Sequence, residues 1–321
     1  MTPTTSVIIP AFGESPYLQQ ALVSVLQDVP VDCQVILVDD GLEANSRNIA
    51  LELCRIYGNL HLVKNKGIGL VAALNTGIDS SESELIFRMD SDDVWLLGRF
   101  ESQLGQMQRD PNLAVCGGQI CIMRANGTQS LSNYPLTHEE ILVQLKAGSP
   151  FAHPATLIRR RFLIQAGEYR RTFVKGRQSL IEDYDLWMRL SMIPEARFLN
   201  LKIEVLQYRE HENQVSAHNR AEQSLATFLL QLFFRNPELI NDNLGNFPID
   251  IGVDSFNLEK FVKVIDGKSK NDLLKTLWNQ IQVKNYFHKV TNFFTKKEFK
   301  ITLWDKSRFV VWLLVSKLRA K

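Results

Sequence analysis

The sequence predicts an α/β protein: a mostly parallel, doubly wound sheet flanked by helices, followed by a helical C-terminal extension. Three observations predict it. Apolar runs of strand length recur, segments with apolar residues at helical spacing separate them, and acidic residues stand at the carboxyl ends of two of the runs. Strand–helix units in succession imply parallel strands joined by right-handed crossovers.

Ser6-Val7-Ile8-Ile9 is the first run, closed by Pro10 and followed by a loop that Gly13 frees. Ser15 is placed to cap a helix with Pro16 at its first position, and Leu18, Ala21, Leu22, Val25 and Leu26 recur at helical spacing. Val35-Ile36-Leu37-Val38 is a second strand that stops at Asp39-Asp40-Gly41. A helix over 45–57 and a third strand at Leu60-His61-Leu62-Val63 follow. Gly67-Ile68-Gly69-Leu70-Val71-Ala72 satisfies the dinucleotide pattern G-x-G-x-x-G/A. That fingerprint belongs in the first strand–helix turn of its domain, and here that turn, residues 10–15, lacks it. The glycines predict instead a tight turn that exposes backbone near a ligand, ahead of a short helix bearing Asn75.

The rest of the chain is organised around Leu85-Ile86-Phe87-Arg88-Met89, a buried strand that runs straight into Asp90-Ser91-Asp92-Asp93. Carboxylates this close repel one another, so a cation is the natural occupant, and oxygen ligands point to Mg2+ or Mn2+ held together with substrate phosphates. An acidic turn that merely solvates a strand end is the rival explanation. A calcium loop is excluded: Asp90, Asp92 and Glu101 fall at its positions one, three and twelve, but position six, which needs glycine, is Trp95.

Beyond this loop the pattern is less regular. A helix over 99–108 stops at Asp110-Pro111-Asn112, strands are expected at 114–117 and 119–124, and Asn126-Gly127 reads as a hairpin turn. A helix over 138–145, an extended stretch over 153–158 and a helix over 161–166 ended by Gly167 come next. Residues 170–179 are polar and basic, as in a surface loop or a loop over a site. Glu182, Asp183 and Asp185 lie in the first turn of an amphipathic helix, where complementing the helix dipole is sufficient reason for acids. Val205-Leu206-Gln207-Tyr208-Arg209 reads as a strand leading to His211, and a lone histidine is more often a satisfied polar residue than a metal ligand.

Composition bounds the class. The chain has 321 residues, 45% hydrophobic and 22% charged, which is ordinary for a large globular domain with an appendage. It has no run of 18 apolar residues and no secretory pattern at its start, so a cytoplasmic location is expected. Cys33, Cys54, Cys116 and Cys121 show no C-x-x-C or zinc-type spacing and read as reduced, buried thiols. Net charge is +2, yet residues 284–321 hold ten Lys/Arg against two acids, together with eight of the 30 aromatics. Such a segment fits either a packed helix with a solvated basic face or peripheral contact with an anionic membrane through Trp304, Phe309 and Trp312. No nucleic-acid recognition motif accompanies the charge.

Taken in order, Val7-Ile8-Ile9-Pro10-Ala11-Phe12, Val38-Asp39-Asp40-Gly41, residues 65–75, Arg88-Met89-Asp90-Ser91-Asp92-Asp93, Gly167-Glu168-Tyr169, Glu182-Asp183-Tyr184-Asp185-Leu186-Trp187 and Tyr208-Arg209-x-His211 resemble the family 2 glycosyltransferases of the GT-A fold, of the bacterial surface-polysaccharide type. The resemblance covers about residues 6–216 and places a glycosyltransferase domain at 1–220. Its nucleotide-sugar half is about 1–124 and its acceptor half about 125–220, with a basic, aromatic, helical region over 221–321.

It implies metal-dependent, inverting transfer of a sugar from a nucleotide diphosphate donor, a UDP-sugar favoured, to an acceptor hydroxyl on a glycan or lipid-linked glycan. Pro10, Phe12, Glu14, Asp39 and Asp40 would hold base and ribose, Asn75 and Arg88 would be further donor contacts, and Asp90-Ser91-Asp92 would be the D-x-D element. Asp90, Asp92, Asp93 and His211 would be metal ligands for Mn2+ or Mg2+, and Asp183 the catalytic base. Inverting transfer needs no enzyme nucleophile, in keeping with the lack of a Ser-His-Asp or Cys-His arrangement. One departure stands out: Leu42 and Glu43 follow Gly41 where the family run commonly continues with serine. Two rivals remain. A sugar-nucleotide pyrophosphorylase would want a basic, glycine-rich loop after the first strand, and a non-catalytic binding module would not need Asp183.

Overall fold

The computed structural model describes residues 5–172 and 179–211 and, beyond these, positions 223, 226, 227, 230, 231 and 234. Strands β1 (Thr5–Gly13), β2 (Gln34–Leu42), β3 (Leu60–Lys64) and β4 (Leu85–Arg88) are parallel and ordered β3-β2-β1-β4. Their residues are apolar on both faces because helices cover both. Val7 and Ile9 pack in one cluster with Leu18 and Leu22 of α1 (Leu18–Leu26) and with Ala50 and Leu53 of α2 (Ala44–Ile56). Ile8 points the other way, against α3 (Leu70–Asp79). This parallel half is the expected doubly wound arrangement.

Pro10 lies within β1 instead of closing it. The Ile8 carbonyl accepts from Met89 N on the β4 side, and Pro10, two residues on, turns its missing N–H to that same side beyond the last β4 pair. The first helix also differs from expectation. It starts at Leu18, and Ser15, expected as its cap, receives the Tyr17 N–H and donates its own N–H to Ser46 Oγ at 3.0 Å.

Past β4 the sheet continues as β8-β6-β9-β5, with β7 on the margin of β6. These strands are β5 (Val94–Trp95), β6 (Leu113–Met123), β7 (Gln129–Leu131), β8 (Leu157–Arg159) and β9 (Arg197–Arg209). The strand β8 is antiparallel to β4 and β6, whereas β6 and β9 run parallel. Helices α4 (Arg99–Arg109), α5 (His138–Leu145), α6 (Arg160–Gln165) and α7 (Glu182–Leu190) complete this half.

Two strands expected at 114–117 and 119–124 are one, β6. The strand expected at 205–209 begins eight residues earlier, at Arg197. Its register against β6 slips near Gly118–Ile120, leaving Lys202, Ile203 and Glu204 of β9 exposed. A bulge of exposed charged residues interrupts the alternation by which a strand is read.

Residues 173–178 and the basic, aromatic segment 284–321 lie outside the described residues, as does the Asn-, Pro- and Gly-rich stretch 236–254. Ala226 and Leu230 are helical and buried, and Gln231 donates to Tyr184 Oη at 3.1 Å.

Candidate active site

Ligand sites of open α/β sheets form at the carboxyl ends of the strands, and the acidic loop sits there, at the end of β4. The chain leaves β4 at Arg88, turns through 90–93, and enters β5, which pairs antiparallel with the far end of β9. That pairing closes the site. The Asp93 carboxylate accepts Arg209 N at 2.9 Å, Arg209 Nε donates to the Asp92 carbonyl, and His211 Nε2 lies 2.9 Å from Asp92 Oδ2. An imidazole 119 residues away in sequence therefore reaches the acidic turn.

One oxygen from each of Asp90, Asp92 and Asp93 lies within 4.8 Å of the others, with Ser91 half-buried between them. Arg88 Nη2 pairs with Asp90 Oδ1 at 2.7 Å. Burial, against the pull of Arg88, lifts the Asp90 carboxyl above its usual range, and burial next to Asp90 and Asp92 lifts Asp93 well above it. Asp93 Oδ2 is buried without a hydrogen-bond partner, as are Nε and Nη1 of Arg88. An orphaned buried carboxylate oxygen within a cluster of three acids is a group that a bound cation would satisfy. The donor set, carboxylate oxygens with one adjacent imidazole, suits Mn2+ or Mg2+. The residues thus fit the ion.

Arg99 backs this loop from the core. Its guanidinium lies 3.9 Å from the Trp95 ring and donates to the carbonyls of Arg88 and Pro154, and burial pushes it down to about 9. It ties the last β4 residue to the turn before β8.

At the end of β2, the acids serve the protein's own turns. Asp39 Oδ1 accepts Gly41 N and Leu42 N, and its second oxygen pairs with Arg47 at 2.6 Å, so Asp39 shapes the β2–α2 turn. Asp40 accepts Gly69 N at 3.0 Å and Asn65 Nδ2 at 2.7 Å. Gly69, at φ +86°, opens α3, so Asp40 anchors the glycine turn at a helix N-terminus. Phe12 is 59% exposed with its ring against Gly41, and Glu14 accepts Asn45 Nδ2 at 2.6 Å. Pro10 lies behind Phe12 in β1.

Asn75 is engaged as well: its Nδ2 donates to the Tyr169 carbonyl and its Oδ1 accepts Tyr169 N. This bracket presents Tyr169, whose hydroxyl meets His153 Nε2 at 2.8 Å in a buried pair beside Arg88. Burial and then Arg88 push His153 well below the usual imidazole range, so it stays neutral. Arg189 donates to the carbonyls of Ala166 and Glu168, and Glu168, at φ +56°, is the one non-glycine described residue with positive φ. Asp185, fully buried, grips both Arg170 and Arg189.

Asp183 stands half-buried at the N-terminus of α7, where the nearby backbone N–H groups of Tyr184 and of its own residue favour its charged form. Burial lifts it above its usual range despite them. Burial and then Asp183 push the adjoining Glu182 up to about 8. The charges of Asp183 and Glu182 are felt at Asp90 and Arg88 respectively. His153, Tyr169 and Arg99 were not expected as members of the site. The only signal for Tyr169 was its place in the Gly167-Glu168-Tyr169 motif.

Residues 6–167 match a family model described as Glycosyl transferase family 2. The chain is 26% identical over 230 residues to the amylovoran biosynthesis glycosyltransferase AmsE of Erwinia amylovora, across 71% of this chain and 84% of that one. It is 30% identical over 194 residues to the UDP-Gal:alpha-D-GlcNAc-diphosphoundecaprenol beta-1,3-galactosyltransferase of Escherichia coli, across 59% of this chain and 68% of that one. Among solved structures, the mannosyltransferase PcManGT from Pyrobaculum calidifontis, in complex with GDP-Man and Mn2+, matches in fold with a TM-score of 0.54 at 14% identity, over 100% of this chain and 88% of that one. With half of its length matched by the family model and its acidic loop at the carboxyl end of β4 in a GT-A sheet, the chain belongs to glycosyltransferase family 2.

Proposed function

We propose that this glycosyltransferase moves a sugar, with inversion, from a UDP-sugar to a hydroxyl of a glycan or lipid-linked glycan, using Mn2+ or Mg2+. The observation that carries this reading is the cluster of Asp90, Asp92 and Asp93 with His211 against Asp92, within reach of the Asp183 charge. The relative that uses UDP-Gal and a diphosphoundecaprenol-linked sugar, and the one named for amylovoran biosynthesis, support the donor, the lipid-linked acceptor and a place in surface polysaccharide, lipopolysaccharide or capsule assembly.

Each residue then has a task. Phe12 offers an exposed ring to the base, while Asp39 and Asp40 hold the turns that frame the ribose. Asp90, Asp92, Asp93 and His211 would hold the ion, which would supply positive charge against the charge gathering on the departing diphosphate. Asp183 takes the proton of the acceptor hydroxyl as its oxygen bonds the anomeric carbon, and the electron pair of the broken bond leaves with the diphosphate. The basic, aromatic segment 284–321 supplies peripheral contact with the inner face of the cell membrane. Among the described residues no helix is long and apolar enough to cross a membrane.

The test is nucleoside diphosphate release from UDP-, GDP- and dTDP-sugars with Mn2+, with Mg2+ and with chelator, comparing wild type with Asp92→Asn. Metal-dependent release from a UDP-sugar, at least 100-fold lower in the variant, is expected. Release that survives chelation would overturn the metal assignment, and nucleotide binding without turnover in the presence of lipid-linked glycans would favour a binding module.

A further inference from the structure

Tyr17 stands at the N-cap of α1, and the chemistry of a helix start does not account for it. An N-cap is commonly Ser, Thr, Asp or Asn, whose side-chain oxygen accepts an N–H of the first turn. Tyr17 makes no such bond. Its backbone is fixed all the same: Tyr17 N donates to Ser15 Oγ, its carbonyl accepts Ala21 N at 2.9 Å, and the next residue, Leu18, is fully buried in the core.

The half-buried ring meets the end of β9. The guanidinium carbon of Arg209 lies 4.1 Å from the centre of the Tyr17 ring. The imidazole of His211 lies against the same ring, with centroids 5.7 Å apart and planes tilted by 38°. Side chains two apart along an extended chain share a side, which lets one ring meet both. Gln20, three residues on in α1, accepts Arg209 Nη2 at 2.8 Å. The first turn of α1 is thus docked on residues that lie about 190 positions later in the chain.

These are the residues that reach the acidic loop, Arg209 through the Asp93 carboxylate and the Asp92 carbonyl, His211 through the Asp92 carboxylate. An imidazole that ligates a metal works from one ring orientation, and the groups that fix that orientation commonly matter to affinity almost as much as the ligand itself. An aromatic face set against a guanidinium and an imidazole restricts both by contact and by the charge on its π-surface.

We propose that Tyr17 is a positioning residue for the cation site. Its ring holds the His211 imidazole directly and the end of β9 through Arg209, and so keeps His211 Nε2 at Asp92. Tyr17 itself touches neither ion nor substrate. This rests on the reading of His211 as a ligand of the transferase's ion and extends that reading to a residue from the other end of the domain.

The test titrates Mn2+ into the full chain, with and without UDP, and reads bound ion from the loss of the free-ion electron paramagnetic resonance signal. His211→Ala should weaken Mn2+ binding by about 10-fold or more. Tyr17→Ala should weaken it by about fivefold or more, and Tyr17→Leu, which keeps bulk but no aromatic face, should do the same. Tyr17→Phe, which keeps the ring, should stay within about twofold of wild type. In a His211→Ala background Tyr17→Ala should add nothing, an outcome that a general loss of stability would not give. Unchanged Mn2+ affinity in folded Tyr17→Leu would overturn the proposal, and so would full additivity of Tyr17→Ala with His211→Ala. Unchanged affinity in His211→Ala would instead remove His211 from the ligands, and a wild type that takes up no Mn2+ under either condition would sink the metal reading. The proposal falls with either.

Discussion

Asp183 and Glu182 are adjacent acids with different surroundings, and their difference is testable. Burial raises the Asp183 carboxyl above its usual range, and the backbone N–H groups at the helix N-terminus oppose that rise in favour of the charged form that a base requires. Asp183→Asn removes the proton acceptor while keeping the shape, so kcat should fall by about 10²- to 10⁴-fold with UDP binding unchanged by calorimetry. Glu182 is buried, and its pKa is raised from 4.5 to about 8. The folded state therefore binds more protons than the unfolded state between those values. Glu182 supports stability fully below its unfolded pKa and loses that support as pH rises through about 8. A single proton corresponds to at most about 1.4 kcal/mol per pH unit. Glu182→Gln should flatten the fall in melting temperature between pH 5 and pH 8. An unchanged slope would show that other carboxyls dominate it.

At the scale of elements, the fold depends on segments that reach across the sheet. Gly117 of β6 admits Asn200 of β9, and Asn200 Nδ2 donates to the carbonyls of Pro135 and Pro150. Gly117→Ala forces a Cβ onto Asn200 Oδ1 and to 2.7 Å from the Phe151 ring, so a destabilisation of about 1–3 kcal/mol is expected from chemical denaturation. Gly105, where a Cβ meets nothing within 4 Å, supplies the control: Gly105→Ala in the middle of α4 should raise stability by up to about 1 kcal/mol. The same reach explains Asn75. Asn75, expected as a donor contact, brackets the backbone of Tyr169, 94 positions later, next to the positive-φ turn at Glu168 that Arg189 also holds. Motif membership singled these residues out, but their partners lay beyond any local pattern.

For the whole molecule, the uneven charge makes a prediction independent of the catalytic site. The segment 284–321 carries ten Lys/Arg and two acids. Full-length protein should co-sediment with vesicles containing anionic lipid at 0.05 M salt, with binding falling severalfold by 0.5 M, and should ignore neutral vesicles. Equal binding to both would leave the segment as a packed helix. By itself the sequence determined the strands β1 to β4, the helices between them and the acid-bearing strand ends, because a strand buried on both faces needs a continuous apolar run and a loop at a ligand needs glycine and acid. It did not disclose the full length of β9, where exposed Lys202, Ile203 and Glu204 sit in a bulge, nor the pairing of β5 with β9 that brings His211 to Asp92. Tertiary structure alone decided those, and with them the bracketing of Tyr169 and the engagement of Asp39 and Asp40 with backbone. Hydrogen bonds between residues about 15 to 119 positions apart leave no periodic trace in a chain. Their geometry exists only once the sheet has formed.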